Sequence, residues 1–385
     1  FCGVLIGMAM GATSVRAAKP EAAPPTPLSA TGKKLEARYA EQLEQLRKEL
    51  TSKLPQADEA DAETIDTFLA SDALDAKLVK FVVLHDATPR GLAEFAQQGK
   101  ERAELVEALL ADTDLMQRML VADGASAKQE GRSFGPEQYG PAMEIYTAIQ
   151  QASEKAAAGV LNRLALAVAL EHSVPIEQQN PEAVTDAPKF IDPVGRYLHY
   201  EKAYLDGELD PAFDQLSTWD LRFVVNGEEP DETLAWGREM LRNFRPDHIL
   251  TPNEGWRYVK IVATDVRYGS GEVKFDRPEL QNYQNILMNG GVCGRRAFFG
   301  RFILRAFGIP TTARPSRGHA ALAHWTPEGW VVNLGGAWGC GWASGPYDRS
   351  FGRKKDLDFL AITQARANRD AFLKVKRDRW AGDGL

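Results

Sequence analysis

The sequence predicts an α+β protein: a helical first half, then a cysteine-headed helix packed on a small antiparallel sheet. Three observations carry that prediction. Helical periodicity dominates from Lys33 to about Val174. β-branched and aromatic runs then appear at Leu221–Val225 and Tyr258–Arg267. Finally, a Gly-Gly turn leads through Cys293 into a helical pattern, followed by two strand patterns joined by a tight turn. At 385 residues the chain has room for two or three domains of about 150 residues each. Its 44% apolar and 26% charged residues are those of an ordinary globular chain, which excludes wholly disordered and collagen-like classes. The 46 Lys and Arg against 53 Asp and Glu give a net charge of -7, so no overall basic field draws it to nucleic acid.

The helical half begins with Leu35, Tyr39, Leu43, Leu46 and Leu50, spaced 4, 4, 3 and 4 apart on one face. Further helices are predicted at Ala62–Ala70, Ala73–Leu84, Gly91–Leu110 and Asp114–Val121. The longest runs from Gly140 to about His172 and is stopped by Pro175. No chemical motif falls in this half, which reads as a packing or spacer domain over 33–180. Pro181, Pro188 and Pro193 mark the boundary to a second domain over 181–345, where a helix is predicted at Glu232–Asn243.

The two ends read differently. Residues 1–18 hold an apolar run, Phe1 to Ala12, and small residues at Val15 and Ala17, the pattern of a truncated export signal cut after Ala17. An N-terminal membrane anchor is the rival reading; bulky Phe1 argues against lipidation of Cys2. Residues 19–32 are Pro- and Ala-rich and read as an extended tether. The body is therefore expected outside the cytoplasm, periplasmic or extracellular, as a bacterial envelope protein. Over Arg349–Arg379 there are ten Lys and Arg against four Asp and Glu, within a C-terminal extension at 346–385. With no nucleic-acid motif beside it, this is the solvated face of a closing helix, and no nucleic-acid partner is expected.

The chemistry concentrates in Asn282–Trp338. Asn289-Gly290-Gly291-Val292-Cys293-Gly294 leads into a helix with apolar residues at 298, 299, 302, 303, 306 and 307, buried along one face and stopped by Gly308-Ile309-Pro310. Cys293 thus stands at a helix N-terminus, where unpaired amides and the dipole favour a thiolate and leave N–H groups for an oxyanion. Gly318–Trp325 reads as a strand, Thr326–Gly329 as a turn and Trp330–Leu334 as the return strand, which brings Asn333 back towards His319. His319 and His324 are five apart, so on a strand they face opposite ways and only one can serve Cys293. Cys293, His319 and Asn333 follow one another as nucleophile, base and orienting group.

The runs GGVCGRRAFFGRFILRAFGIP, GHAALAHW and GWVVNL resemble the catalytic core of the transglutaminase-like superfamily, relatives of the papain-like thiol enzymes. The resemblance covers Asn282–Trp338, about 57 residues, is thin over Trp219–Gln281 and does not reach the helical half. It implies Cys293 as nucleophile, His319 as general base and Asn333 as the group that orients the imidazole. Asn333 stands where transglutaminases more often carry Asp, while papain-like relatives use Asn. A neutral amide fixes the tautomer but stabilises an imidazolium less. The implied activity is acyl transfer on a peptide or protein amide, first as hydrolysis by water in a protease or amidase and second as transamidation to an amine in a transglutaminase, and it needs no cofactor. The alternative is a non-catalytic transglutaminase-like module that binds or scaffolds the envelope.

Each of these residues also has a plainer role. Cys293 opens a buried helix as a small apolar residue in many proteins, His319 can be a hydrogen-bonded structural histidine, and Asn333 can close a turn. Gln284 and Asn289 are the weak candidates for an upstream oxyanion donor, and Trp338 for the substrate wall. Trp325, Trp330, Trp338 and Trp342 read first as aromatic core and second as a groove. Cys340 is expected to pack, with a disulfide to Cys293 as its rival role. A metal site at Cys293, His319 and Cys340 would have only three ligands at loose spacing, so none is expected.

Overall fold

The predicted stripe of Leu35, Tyr39, Leu43, Leu46 and Leu50 lies along helix α1 (Ala30–Thr51), with Tyr39 and Leu50 fully buried. The computed structural model describes residues 27–55, 61–125, 135–179, 188–250, 257–269, 272–313, 320–334 and 369–384. The described residues are mostly helical, with one three-stranded antiparallel sheet, so the chain is α+β. The expected export signal, most of the tether and residues 335–368 lie outside them, as do His319, Trp338, Cys340 and Trp342. Among the described residues no helix is long and apolar enough to cross a membrane.

Seven more helices complete the first half: α2 (Ala62–Ala70), α3 (Asp75–Ala87), α4 (Pro89–Ala96), α5 (Lys100–Ala111), α6 (Thr113–Val121), α7 (Tyr139–Ala152) and α8 (Gly159–Glu171). Two predicted helices are each two. The Gly91–Leu110 pattern breaks at Gly99, whose backbone is extended before α5. The Gly140–His172 pattern breaks between Ser153 and Gly159: Ser153 and Ala158 are extended, and Gly159 adopts φ +61°. Ser153 caps the short 3₁₀ turn there and also donates its hydroxyl to Glu201 at 2.6 Å, a tertiary contact that periodicity cannot reveal.

Of the β-branched runs of the second half, the first is helical and the second is helical over its middle. Leu221–Val225 closes α10 (Thr218–Val225), started by a Ser217–Asp220 capping box, with Trp219, Leu221, Val224 and Val225 buried. Ile261 and Val262 are buried on the short α13 (Lys260–Thr264). Burial against neighbours overrides a β propensity worth no more than about 1 kcal/mol. The helix expected at Glu232–Asn243 is α11 (Asp231–Phe244), preceded by α9 (Pro193–Leu205) and followed by the single turn α12 (Asp247–Leu250).

Both halves share one hydrophobic core that runs from Tyr39 to Trp380. Arg222 of α10 fastens them: its Nε donates to Glu171 at 2.8 Å, and its Nη1 to the carbonyls of Ala122 and Gly124 at 2.7 and 2.8 Å. The closing helix (Arg369–Gly384) returns to the first half. Trp380 enters the core, while Arg377, Lys374 and Lys376 pair with Asp75, Asp66 and Asp123. Its basic face was expected in solvent; three of its cations instead meet carboxylates of the acidic helical half.

The cysteine helix is α15 (Cys293–Ala306), reached from α14 (Asn282–Asn289) through the Gly290-Gly291-Val292 turn. It ends as predicted: Gly308 has φ +73°, with Gly308 N–H on Arg305 O and Ile309 N–H on Leu304 O, a Schellman closure. Burial is not confined to one face. Arg296, Arg305 and Gly300 are buried along with the phenylalanines, because neighbours pack it on several sides. Tyr283 of α14 and Trp236 of α11 both stack on Phe302. After Pro310 the chain forms β1 (Thr311–Ala313), then β2 (Ala321–Thr326) and β3 (Gly329–Leu334), with β2 in the centre. β1 was not foreseen; three residues are too few for a period.

Candidate active site

Cys293 is the first residue of a 14-residue helix, and its thiol is half-buried and free of any disulfide. Val292, at the N-cap, makes no side-chain capping bond, in contrast to the Gln281–Gln284 capping box of α14. Among the described residues the N–H groups of Cys293, Gly294 and Arg295 meet no hydrogen-bond acceptor; the first N–H of the helix to do so is that of Arg296, on Val292 O. Three amide donors of the first turn are therefore left open at the positive end of the helix dipole, the end that Cys293 begins.

Ala320, the residue just before β2, meets this sulfur. The backbone N–H of Ala320 donates to Cys293 Sγ at 3.5 Å. Position 319 immediately precedes that amide, though His319 itself lies outside the described residues. β2 pairs with β3 in the register Ala321↔Leu334, Leu322↔Asn333 and Trp325↔Trp330, closing through the Thr326–Gly329 turn that the sequence predicts. The Asn333 backbone is thus opposite a residue two places from Ala320, about 7 Å along the strand. Leu322 belongs to the main core, whereas Ala321, Ala323 and Trp330 form a second cluster with Trp219.

His324 is the histidine of β2 that the structure describes. It lies four residues beyond Ala320, about 13 Å along the strand from the amide that touches Sγ. It is 2% exposed and pairs in register with Thr311 and Val331. That position suits packing in the central strand and not a base for Cys293.

The weaker candidates have structural tasks. Gln284 Oε1 accepts the N–H of Gln281 at 3.1 Å in the capping box of α14. Asn289, the last residue of α14, donates from Nδ2 to Asp276 at 3.0 Å. Trp330 is core, in edge contact with Trp219 and Phe223 at 6.2 and 5.4 Å; Trp325 is partly buried beside it. Among the described residues no cluster of three or more His, Cys, Asp and Glu side chains is placed to hold a metal.

The turn before Cys293 is braced by groups that no motif announces. Gly290, at φ +77°, sits against the carbonyl of Arg267, where a Cβ has no room. Gly291 N–H donates to that same carbonyl at 2.9 Å, and Gly269 N–H to Gly291 O at 3.3 Å. Buried Arg296 donates from Nη1 to Val266 O and lies over the Tyr268 ring. Burial pulls its guanidinium below the usual arginine range, with the ionisable Tyr268 side chain working against it. The Gly-Gly pair was the readable signal; its partners, more than twenty residues upstream, were not.

The chain matches no protein-family model, no curated protein and no solved structure.

Proposed function

We propose that the chain is a thiol enzyme with a transglutaminase-like core, performing acyl transfer on a peptide or protein amide. The observation that carries this reading is the half-buried Cys293 thiol at an uncapped helix N-terminus, contacted by the amide that follows His319. In this reading Cys293 Sγ attacks the amide carbonyl carbon, and the N–H groups of the first helical turn hold the oxyanion. His319 takes the thiol proton and passes it to the nitrogen as the C–N bond breaks. Asn333 orients the imidazole. Water then hydrolyses the thioester, as in a protease or amidase, or an amine takes the acyl group, as in a transglutaminase. The leader-like residues 1–17 support action outside the cytoplasm.

The test is labelling by iodoacetamide at neutral pH, alongside amide hydrolysis by the Cys293→Ala, His319→Ala and Asn333→Ala variants. Cys293 is expected to react about tenfold faster than an ordinary free thiol. Each of the first two variants is expected to abolish turnover. A thiol of ordinary reactivity, together with turnover indifferent to Cys293→Ala, overturns the enzyme reading and leaves a non-catalytic binding module of the envelope.

A further inference from the structure

Asp276 connects the two ends of the segment that carries the thiol. It follows a 3₁₀ turn (Glu272–Phe275), and its own N–H donates to Val273 O at 3.0 Å. Asp276 Oδ1 accepts from Asn289 Nδ2 at 3.0 Å and from Arg295 Nη2 at 3.2 Å; Oδ2 faces Arg295 Nη1 at 2.9 Å. Asn289 precedes the Gly-Gly turn and Arg295 is two residues beyond Cys293. One carboxylate therefore spans Gly290 to Gly294 and fixes both flanks.

The carboxylate is itself held in place. Arg277 N–H donates to Asn285 Oδ1 at 3.0 Å, and Asn285 Nδ2 returns a bond to Arg277 O at 2.9 Å, so the loop after Asp276 is sewn to α14. Arg295 is a cation in the first turn of a helix, where the dipole disfavours positive charge. An acidic partner at that end removes the conflict, and Asp276 is the carboxylate that reaches it. Two glycines give the turn conformational freedom, which the backbone bonds to Arg267 and Gly269 restrain on one side and Asp276 restrains at its two flanks.

We infer that Asp276 is a positioning residue for Cys293: through Asn289 and Arg295 it holds the nucleophile turn in register with the first helical amides. The inference rests on the proposed thiol chemistry for its purpose, though not for its geometry.

The experiment compares wild type with Asp276→Ala and Arg295→Met, which cut the same staple from opposite sides. Each is measured by hydrogen exchange of the peptide spanning 289–296 and by the rate of iodoacetamide labelling at Cys293. Both variants are expected to raise exchange in that peptide at least about tenfold while leaving peptides of α1–α8 unchanged, and to slow labelling severalfold. Asp276→Glu is expected to recover part of both. Unchanged exchange in folded Asp276→Ala overturns the staple. Faster exchange with wild-type labelling overturns the positioning role and leaves a brace of the loop. An unreactive Cys293 in the wild type counts against the proposed function alone, because the exchange measurement still decides whether Asp276 holds the turn.

Discussion

Arg377 grips the carboxylate of Asp75 with two donors, Nε at 2.9 Å and Nη2 at 3.0 Å, across 302 residues of sequence. Both side chains are nearly buried, at 12% and 10% exposure, and Trp380 enters the core one turn further on. Forked geometry makes Arg better than Lys at such a site. The first helical half is thereby closed by the last helix of the chain.

Arg377→Ala should therefore cost about 2 kcal/mol or more, short of the ~3–5 kcal/mol for breaking a wholly buried pair. Trp380→Ala should cost about 3–5 kcal/mol through its cavity. Urea unfolding checks both; a midpoint equal to that of the wild type for Trp380→Ala would show that the helix does not dock.

Glu229 and Arg305 are 2% and 7% exposed, 3.0 Å apart, and Tyr283 adds its hydroxyl to the same carboxylate at 3.2 Å. Burial works against the Glu229 charge, yet Arg305, Arg301 and Arg196 together hold the carboxyl below its ordinary range. A depressed carboxyl stabilises the fold above its unfolded pKa, about 4.3, and that contribution fades as pH falls through the folded value. Glu229→Gln should cost several kcal/mol at pH 7, because Arg305 is left buried without its counter-charge. The gap from wild type should narrow below about pH 4. Unfolding curves at pH 7 and pH 3.5 measure it.

Two histidines, buried His172 and half-buried His199, give a second pH dependence, opposite in chemistry and alike in sign. Burial, reinforced by Arg196, pushes His172 down to about 3. His199 is likewise pushed down to about 3 by burial, with Arg238 and Arg196 beside it. Below about pH 6.5 the unfolded chain takes up protons that these folded imidazoles refuse, so stability falls as pH drops from 6.5 towards 3. Each contributes a slope approaching about 1.4 kcal/mol per pH unit. His172→Gln with His199→Gln should flatten the curve between pH 6 and 4; an unchanged slope would show that both histidines protonate in the native state.

Two glycines near the thiol should answer oppositely to alanine. Gly290→Ala places a Cβ at φ +77° against the Arg267 carbonyl, and should cost more than the ~1–2 kcal/mol of the left-handed conformation alone. Gly294 is helical and exposed, with open space where a Cβ would stand, so Gly294→Ala should stabilise by up to about 1 kcal/mol. Thermal unfolding of the pair checks the sign at each site.

By itself the sequence determined the helical first half, the cysteine-headed helix with its Gly308 stop, and the hairpin that turns at Thr326–Gly329. Each of these has a local cause: a 3.6-residue period, a glycine that tolerates positive φ, or an alternating run around a turn. The candidate nucleophile was legible for the same reason, since a Gly-Gly-Val-Cys entry to a helix is written in adjacent residues. Only the tertiary structure decided that Leu221–Val225 is helical, that Gly290 rests on the Arg267 carbonyl, and that Asp276 ties Asn289 to Arg295. It also decided that Ala320 meets the sulfur and that Arg377 finds Asp75. These depend on which distant surfaces come together, and short-range periodicity carries no record of that. Burial and charge pairing between remote segments settle it once the core has formed.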